Sequence, residues 1–410
     1  MENLPHKDFW KWLLIPFIIG ILTLSHIEGL SKIMILYGLV FAGSFSLYFL
    51  YHRLSLQPEV IVYFIWFLWC LPGALIAGNK AAYFIELLTL IQIGIMLFLV
   101  AGITALRREI STVMAAIAIS GIITLVSSLI TGEFQLAAQI GSKARAEGFT
   151  GNANQYAYQL TVIIFSVFYF FRNNLTKKVW LSIILSVIFI LSIIGVIFSG
   201  SRDGLISVLV FIFLWWLFCK AKRLPKNPIK LYIIVLILLS VIYYSTNYIM
   251  SNTFIGKRIS TVEDSSTKTR FEMYQIAFDL IIKNPVAGVG LDNFREYTTG
   301  LYSHSDYLEV VTNTGIVGFI LYFSIYIILW LRLSRIRKMT QDPNVLYIIG
   351  LLKAVTLTIL LHSFADVKMT SKVTWLFLGS AIGYSWSVEH ALSKMIFNYK
   401  EYLRKIEVYD

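Results

Sequence analysis

Apolar runs of roughly 16–23 residues recur along the whole chain, each about the length a helix needs to cross a hydrocarbon core of ~30 Å. They fall at about 9–24, 30–52, 59–77, 83–105, 111–130, 154–171, 179–198, 204–219, 231–250, 314–332, 345–365 and 371–388. A soluble fold could not hide this much apolar surface. Of 410 residues, 57% are hydrophobic and 14% are charged, whereas soluble domains carry about 25% charged residues. Strand-like alternation is absent, which argues against a β-barrel. The sequence therefore predicts an all-α polytopic membrane protein of about twelve transmembrane helices.

The first run is short and follows His6, Lys7 and Asp8, the flanks of a signal peptide. No small-residue cleavage site follows, so it reads as a retained helix. Cys70 and Cys219 fall in or at the end of separate apolar runs, suggesting buried hydrophobes and neither a disulfide framework nor a metal site.

Lys and Arg set the expected orientation. With both termini cytoplasmic, the inner segments collect Lys7, Lys11, Arg53, Arg107, Arg108, the Arg172 to Lys178 group, the Lys220 to Lys230 and Arg332 to Lys338 clusters, and a basic tail. This is the asymmetry of the positive-inside rule. The net charge of +12 is then mostly an anchoring signal. Nucleic-acid binding is the weaker reading, because these clusters flank spans and carry no aromatic platform.

Three regions follow. Residues 1–250 hold helices one to nine, with a short outward loop near 131–153; residues 251–313 form a large outward loop; residues 314–410 hold helices ten to twelve and a cytoplasmic tail. Long loops are usually functional or disordered. The larger one has a helical pattern from Thr269 to Ile282, then Asn284-Pro285 and a Gly288-Val289-Gly290 turn, so it reads as a helical cap on the membrane.

The polar residues expected on the outward face form a distinctive set. Arg145, Gly148, Asn152 and Asn154 lead into the sixth span, Ser199 to Gly204 form the turn between the seventh and eighth, Arg270 opens the cap helix, and His304 to Glu309 precede the tenth. Guanidinium groups offer phosphate a planar, permanently charged fork, and ionisable groups at membrane depth are costly and tend to be functional. A histidine with neighbouring carboxylates can act as general base on a hydroxyl. The set suggests a diphosphate site. Each member also has a structural alternative: Arg202 snorkelling and paired with Asp203, Arg270 beside Glu272, Arg145 paired with Glu147, and His304 capping the following span. His26 and His362 read as structural, and Lys353 as snorkelling or locally paired.

Together these residues resemble the bacterial O-antigen ligase and polymerase superfamily. The likeness rests on Arg145-x-x-Gly148-x-x-x-Asn152-x-Asn154, Ser201-Arg202, the block from Arg270 through Pro285 to Gly288-x-Gly290 and Phe294, and His304-x-x-Tyr307-Leu308-Glu309 followed by Gly315 and Gly318. It covers about residues 140–320. It implies a C-type glycosyltransferase fold with a periplasmic helical cap, in the bacterial inner membrane, moving a glycan from undecaprenyl diphosphate to an acceptor such as lipid A-core.

Residue by residue, the resemblance implies that Arg202 and Arg270 hold the diphosphate, that His304 orients or deprotonates the acceptor, and that Arg145, Asn152 and Asn154 contact phosphate or sugar. Asp306, Tyr307 and Glu309 are secondary candidates. No metal or other cofactor is implied, since the arginines supply the positive charge. The chain departs from the family pattern at Ala153, Tyr274 and Asp203; Asp203 could neutralise Arg202.

A flippase for lipid-linked sugars would explain twelve spans equally well. Transporters, however, put charged residues and broken helices near the midplane and often show repeated halves, features this sequence lacks. Within the enzyme class a ligase uses lipid A-core as acceptor and a repeat-unit polymerase uses another lipid-linked unit. The His304 block and the moderate size favour the ligase.

Overall fold

The computed structural model describes residues 9–23, 56–107, 110–138, 144–174, 179–220 and 265–407, with five isolated positions between 30 and 43. The expected ninth span, almost all of the second, His26 and the start of the cap loop lie outside the described residues. Those described form helices and connections, with no strand among them.

The helices are α1 (Phe9–Thr23), α2 (Pro58–Cys70), the short α3 (Gly73–Ile76), α4 (Lys80–Arg107), α5 (Ser111–Ile130), the short α6 (Glu133–Ala138), α7 (Ala153–Asn174), α8 (Val179–Phe198), α9 (Arg202–Lys220), α10 (Ser265–Lys283), α11 (Asp306–Met339), α12 (Pro343–His362) and α13 (Lys372–Glu407). Seven helical segments among the described residues are long and apolar enough to cross a membrane. The chain is a polytopic membrane protein.

The exposed surface shows why. Along α8, Val179, Trp180, Ile183, Ile184, Val187 and Ile190 are exposed, while Leu185, Ile188, Ser192, Gly195 and Val196 are buried. The exposed stripe recurs at helical spacing and is as apolar as the buried one, the arrangement lipid stabilises and water does not. Inside the bundle, small polar side chains satisfy themselves locally: Ser120 donates to the Ala116 carbonyl at 2.7 Å and Thr356 to that of Leu352 at 2.8 Å, so neither leaves an unpaired group in an apolar interior.

Packing pairs α2 with α11, α4 with α13, α9 with α12, α1 with α5, and α7 with α8. At the centre Tyr63 meets Trp375 edge-on at 4.9 Å, and Trp66 meets Tyr322 at 5.1 Å. Two polar structures sit near opposite ends of α11. Near its end, buried Arg332 forms an ion pair with Glu59 at 2.6 Å and donates to Glu389 at 3.2 Å. At its start Asp306 is fully buried. Being 26 positions apart, the two are separated by on the order of 39 Å of helix, the span of a bilayer.

The helix begins eight residues before the expected tenth span, and the difference has a physical cause. Asp306, Glu309, Thr312 and Asn313 are polar, yet all four are buried. Lys353, inside α12, donates to Ser334 at 2.8 Å and lies 4.1 Å over Trp330, a local pairing.

Candidate active site

The approach to α7 is an interlocked turn. Arg145 donates from Nε to the Ser199 carbonyl at 2.6 Å and from Nη2 to Asn154 Oδ1 at 3.0 Å, which ties this turn to the one before α9. Asn152 Oδ1 accepts the Asn154 and Gln155 N–H groups at 2.9 and 3.2 Å, capping the orphan donors of the α7 N-terminus. Asn152 thus caps α7, while Arg145 and Asn154 join this turn to the neighbouring one.

That neighbouring turn ends in Ser201, whose hydroxyl accepts the Gly204 N–H at 3.2 Å and caps α9. Arg202 is the first residue of α9 and is exposed. A cationic side chain at a helix N-terminus adds to the positive end of the helix dipole and favours an anion. Asp203, next along, bonds Arg270 Nη2 at 3.1 Å. The carboxylate expected as a partner of Arg202 therefore reaches the second arginine and draws α10 onto the start of α9.

The position of α10 is fixed at its far end. Asn284 to Gly290 docks against α11 by backbone hydrogen bonds: Val289 N to the Thr312 carbonyl at 2.9 Å, Gly290 N to that of Asn313 at 3.0 Å, and Ile316 N to that of Pro285 at 2.9 Å. The contact interrupts α11 at Gly315, whose φ is +70°. A Cβ on Gly315 would lie 1.9 Å from the Val286 carbonyl oxygen, and one on Gly288, also at φ +70°, 2.5 Å from that of Thr312. Only glycine combines the left-handed backbone with so close an approach. The Gly288-x-Gly290 and Gly315 signatures are the two halves of this joint.

His304 sits in a turn with φ +54°, unusual for a residue with a Cβ. The surrounding hydrogen bonds hold it there. Ser303 N donates to Glu309 Oε2 at 2.9 Å, and Ser303 Oγ donates to the Ser305 carbonyl at 2.9 Å. Asp306 takes the Lys368 and Met369 N–H groups on Oδ1, each at 2.8 Å, and the Tyr322 hydroxyl on Oδ2 at 2.8 Å. Tyr307 donates to the Leu360 carbonyl at 2.8 Å and stacks on Phe323 at 4.7 Å. Asp306, Tyr307 and Glu309 are thus occupied in fixing the turn.

His304 is not the cap of α11; Ser305 occupies that position. The imidazole is half-buried and makes no hydrogen bond among the described residues. Burial, then the Arg270 charge, lowers its pKa below the ordinary 6.5, while Asp366 and Asp203 pull the other way. Arg270, Asp203 and His304 thus share one electrostatic neighbourhood.

The connection between α12 and α13 belongs to the same neighbourhood, although sequence reasoning singled out none of its charged residues. Asp366 bonds buried Lys368 at 2.6 Å, and Lys368 Nζ lies 3.5 Å over the Tyr158 ring. Burial would raise the Asp366 carboxyl, but Lys368, His362 and local hydrogen bonds outweigh it and hold it below the ordinary range. His362 is buried and stacks on Tyr158 at 4.8 Å. The available signal was topological: an Asp and a Lys in the connection between the eleventh and twelfth spans, which falls on the same face as His304 when spans alternate.

Residues 187–323 match the family described as O-antigen ligase. The match, over 137 of the 410 residues, supports a likeness to the O-antigen ligase-like superfamily across that segment. The matched segment runs from within α8 to within α11, and so contains Arg202, Asp203, Arg270, His304 and the Gly288 to Gly315 joint. It leaves out the Arg145 turn and the connection carrying Asp366 and Lys368. Members of this superfamily are glycosyltransferase-like enzymes of the bacterial inner membrane that use lipid-linked glycans. A search of curated proteins returned no match.

Proposed function

We propose that this protein is an O-antigen ligase, moving a glycan from undecaprenyl diphosphate to lipid A-core at the periplasmic face of the inner membrane. The observation that carries the reading is the convergence of Arg202 at a helix N-terminus, Arg270 drawn in by Asp203, and a neutral-leaning imidazole at His304. That set offers positive charge for a leaving diphosphate beside a base for an incoming hydroxyl.

In this mechanism the acceptor hydroxyl gives its proton to the His304 imidazole as its oxygen bonds the anomeric carbon. The bond from that carbon to the diphosphate oxygen breaks, and the electron pair leaves with the diphosphate. Arg202 and Arg270 stabilise the charge that develops there. Asp203 fixes one arm of the Arg270 guanidinium and leaves the remaining N–H groups to the phosphate. The imidazolium then loses its proton to solvent. The arginines do by electrostatics what a divalent cation does in other transferases.

The test is transfer by purified protein from an undecaprenyl-diphosphate-linked glycan to lipid A-core, with membrane abundance measured alongside. Arg202→Lys and Arg270→Lys keep charge but lose the fork. Each should cost on the order of 2–4 kcal/mol in the barrier, roughly 30- to 1,000-fold in rate. His304→Ala should be comparably damaging while the donor still binds. Near-normal transfer by both lysine variants would remove the diphosphate reading, and elongation of lipid-linked glycan without labelling of lipid A-core would make the protein a polymerase.

A further inference from the structure

Beside the His304 turn lies a cleft of about 160 Å³, walled by the end of α1, the start of α7 and the α12–α13 connection. Its polar lining includes Gln155, Gln159, Ser371 and Lys372, with the paired Asp366 and Lys368 beside them. Gln159 is 4% exposed, and its Nε2 donates to the Leu22 carbonyl at 3.0 Å. A carbonyl accepts only from the NH₂ end of the amide, so this bond fixes which end of the side chain is which. Its Oε1 is buried without a hydrogen-bond partner among the described residues. A buried amide oxygen left unpaired is costly, and a ligand hydroxyl reaching into the cleft would satisfy it.

The charge in the cleft narrows the ligand. Lys368 is already bonded to Asp366, whereas Lys372, half-buried on the wall, has no ion pair among the described residues. Aromatic stacking is not the means of recognition, since the Tyr158 ring already carries Lys368 and His362. What remains, once the Asp366 and Lys368 charges offset each other, is a small, open-sided chamber with one buried acceptor, several hydroxyl and amide groups and the ammonium of Lys372. The wall is rigidly joined to His304, because Asp306, two residues on, holds the Lys368 and Met369 N–H groups.

We propose that this cleft is a subsite for one sugar residue carrying a carboxylate, with Gln159 Oε1 accepting a sugar hydroxyl and Lys372 facing the carboxylate. The assignment of that sugar to the glycan being transferred rests on the function proposed above, since the shared clamp at Asp306 would set its register against His304. The binding itself does not depend on the chemistry at His304.

The experiment is saturation-transfer NMR on the purified full-length protein with D-glucuronate, D-glucose and, as a control anion, inorganic phosphate. Glucuronate should bind, glucose more weakly, and phosphate should not displace either. Lys372→Met should abolish the preference for glucuronate. Gln159→Met should weaken both sugars by roughly 2- to 10-fold, the range of one hydrogen bond. Should Gln159→Met fold poorly, Gln155→Trp, which fills the cleft from its exposed rim, should abolish both signals.

No sugar signal, signals untouched by Gln155→Trp, or equal displacement by phosphate would overturn the subsite. The same titration on His304→Ala separates the two readings. Retained glucuronate binding supports the subsite even if lipid-linked transfer is never found, while transfer that survives Gln155→Trp unchanged overturns the sugar's place in the transferred glycan.

Discussion

Replacing Gly315 by alanine tests whether the joint between the cap and α11 positions Arg270. The new methyl carbon would stand 1.9 Å from the Val286 carbonyl oxygen and 2.6 Å from Ala287 N. Both are backbone atoms, so no side chain can swing away; the turn from Asn284 to Gly290 must move. Three backbone hydrogen bonds cross that contact, each worth about 1 kcal/mol net. At φ +70° and ψ −177° Gly315 has a backbone that essentially only glycine adopts, which adds about 1–3 kcal/mol for a residue with a Cβ. The substitution should therefore cost about 4–6 kcal/mol in stability.

The internal control is Gly300→Ala. Gly300 has φ +88° but open space within 4 Å of its would-be Cβ, so it should pay only the conformational cost of about 1 kcal/mol. A misplacement of about 1 Å can slow an enzyme by on the order of 100-fold, and α10 carries Arg270. Gly315→Ala should thus depress transfer more than its lower abundance explains, whereas Gly300→Ala should not. Thermal unfolding in detergent and transfer per folded molecule are the two measurements. Equal effects of the two substitutions on both would refute the argument that this joint holds the cap in place.

Three further outcomes are expected. His304 has a folded-state pKa below its ordinary 6.5, so the active neutral form should persist through neutral pH and transfer should fall only below 6.5; an acid limb centred at or above that value contradicts the assigned base. The same sign governs stability, whose His304 contribution is complete above 6.5 and is lost as pH falls through the folded value, because the unfolded chain then binds more protons. Transfer should survive excess chelator, and loss of activity restored by magnesium or manganese would show that the arginines do not suffice. A cysteine at position 304, in a chain lacking Cys70 and Cys219, should react with an impermeant thiol reagent in intact cells with a permeabilised outer membrane; protection there with reactivity in inverted vesicles would reverse the topology.

The membrane class was legible because it depends on run length and composition, which no tertiary contact can alter. The helix of the long loop was legible too: Phe271, Tyr274, Ala277, Phe278 and Ile281 keep helical spacing up to Asn284-Pro285, and α10 ends at Lys283. Partner choice across elements was not. Asp203 lies beside Arg202 in sequence, but its bond to Arg270 depends on how α10 docks 67 residues later. Asp306 and Glu309 look like loop or ligand residues because they are charged; they are buried because backbone N–H groups satisfy them, from the distant Lys368 and Met369 for Asp306 and from nearby Ser303 for Glu309. Asn152 and Asn154 likewise carry no mark of whether they face a ligand or cap a helix. Asp366 and Lys368 were overlooked because they stand outside the motif-bearing segment.

The left-handed backbone at His304 also has a genetic consequence. A single base change turns a histidine codon into one for asparagine or aspartate, residues that adopt positive φ more readily than most others. The Ser303, Asp306 and Glu309 bonds that hold the turn do not involve the imidazole. A chain altered in this way would retain its turn, its joint with the cap and its two arginines. On the role proposed for His304, activity and architecture at this position are one nucleotide apart, so a lineage can lose transfer without losing a folded membrane protein.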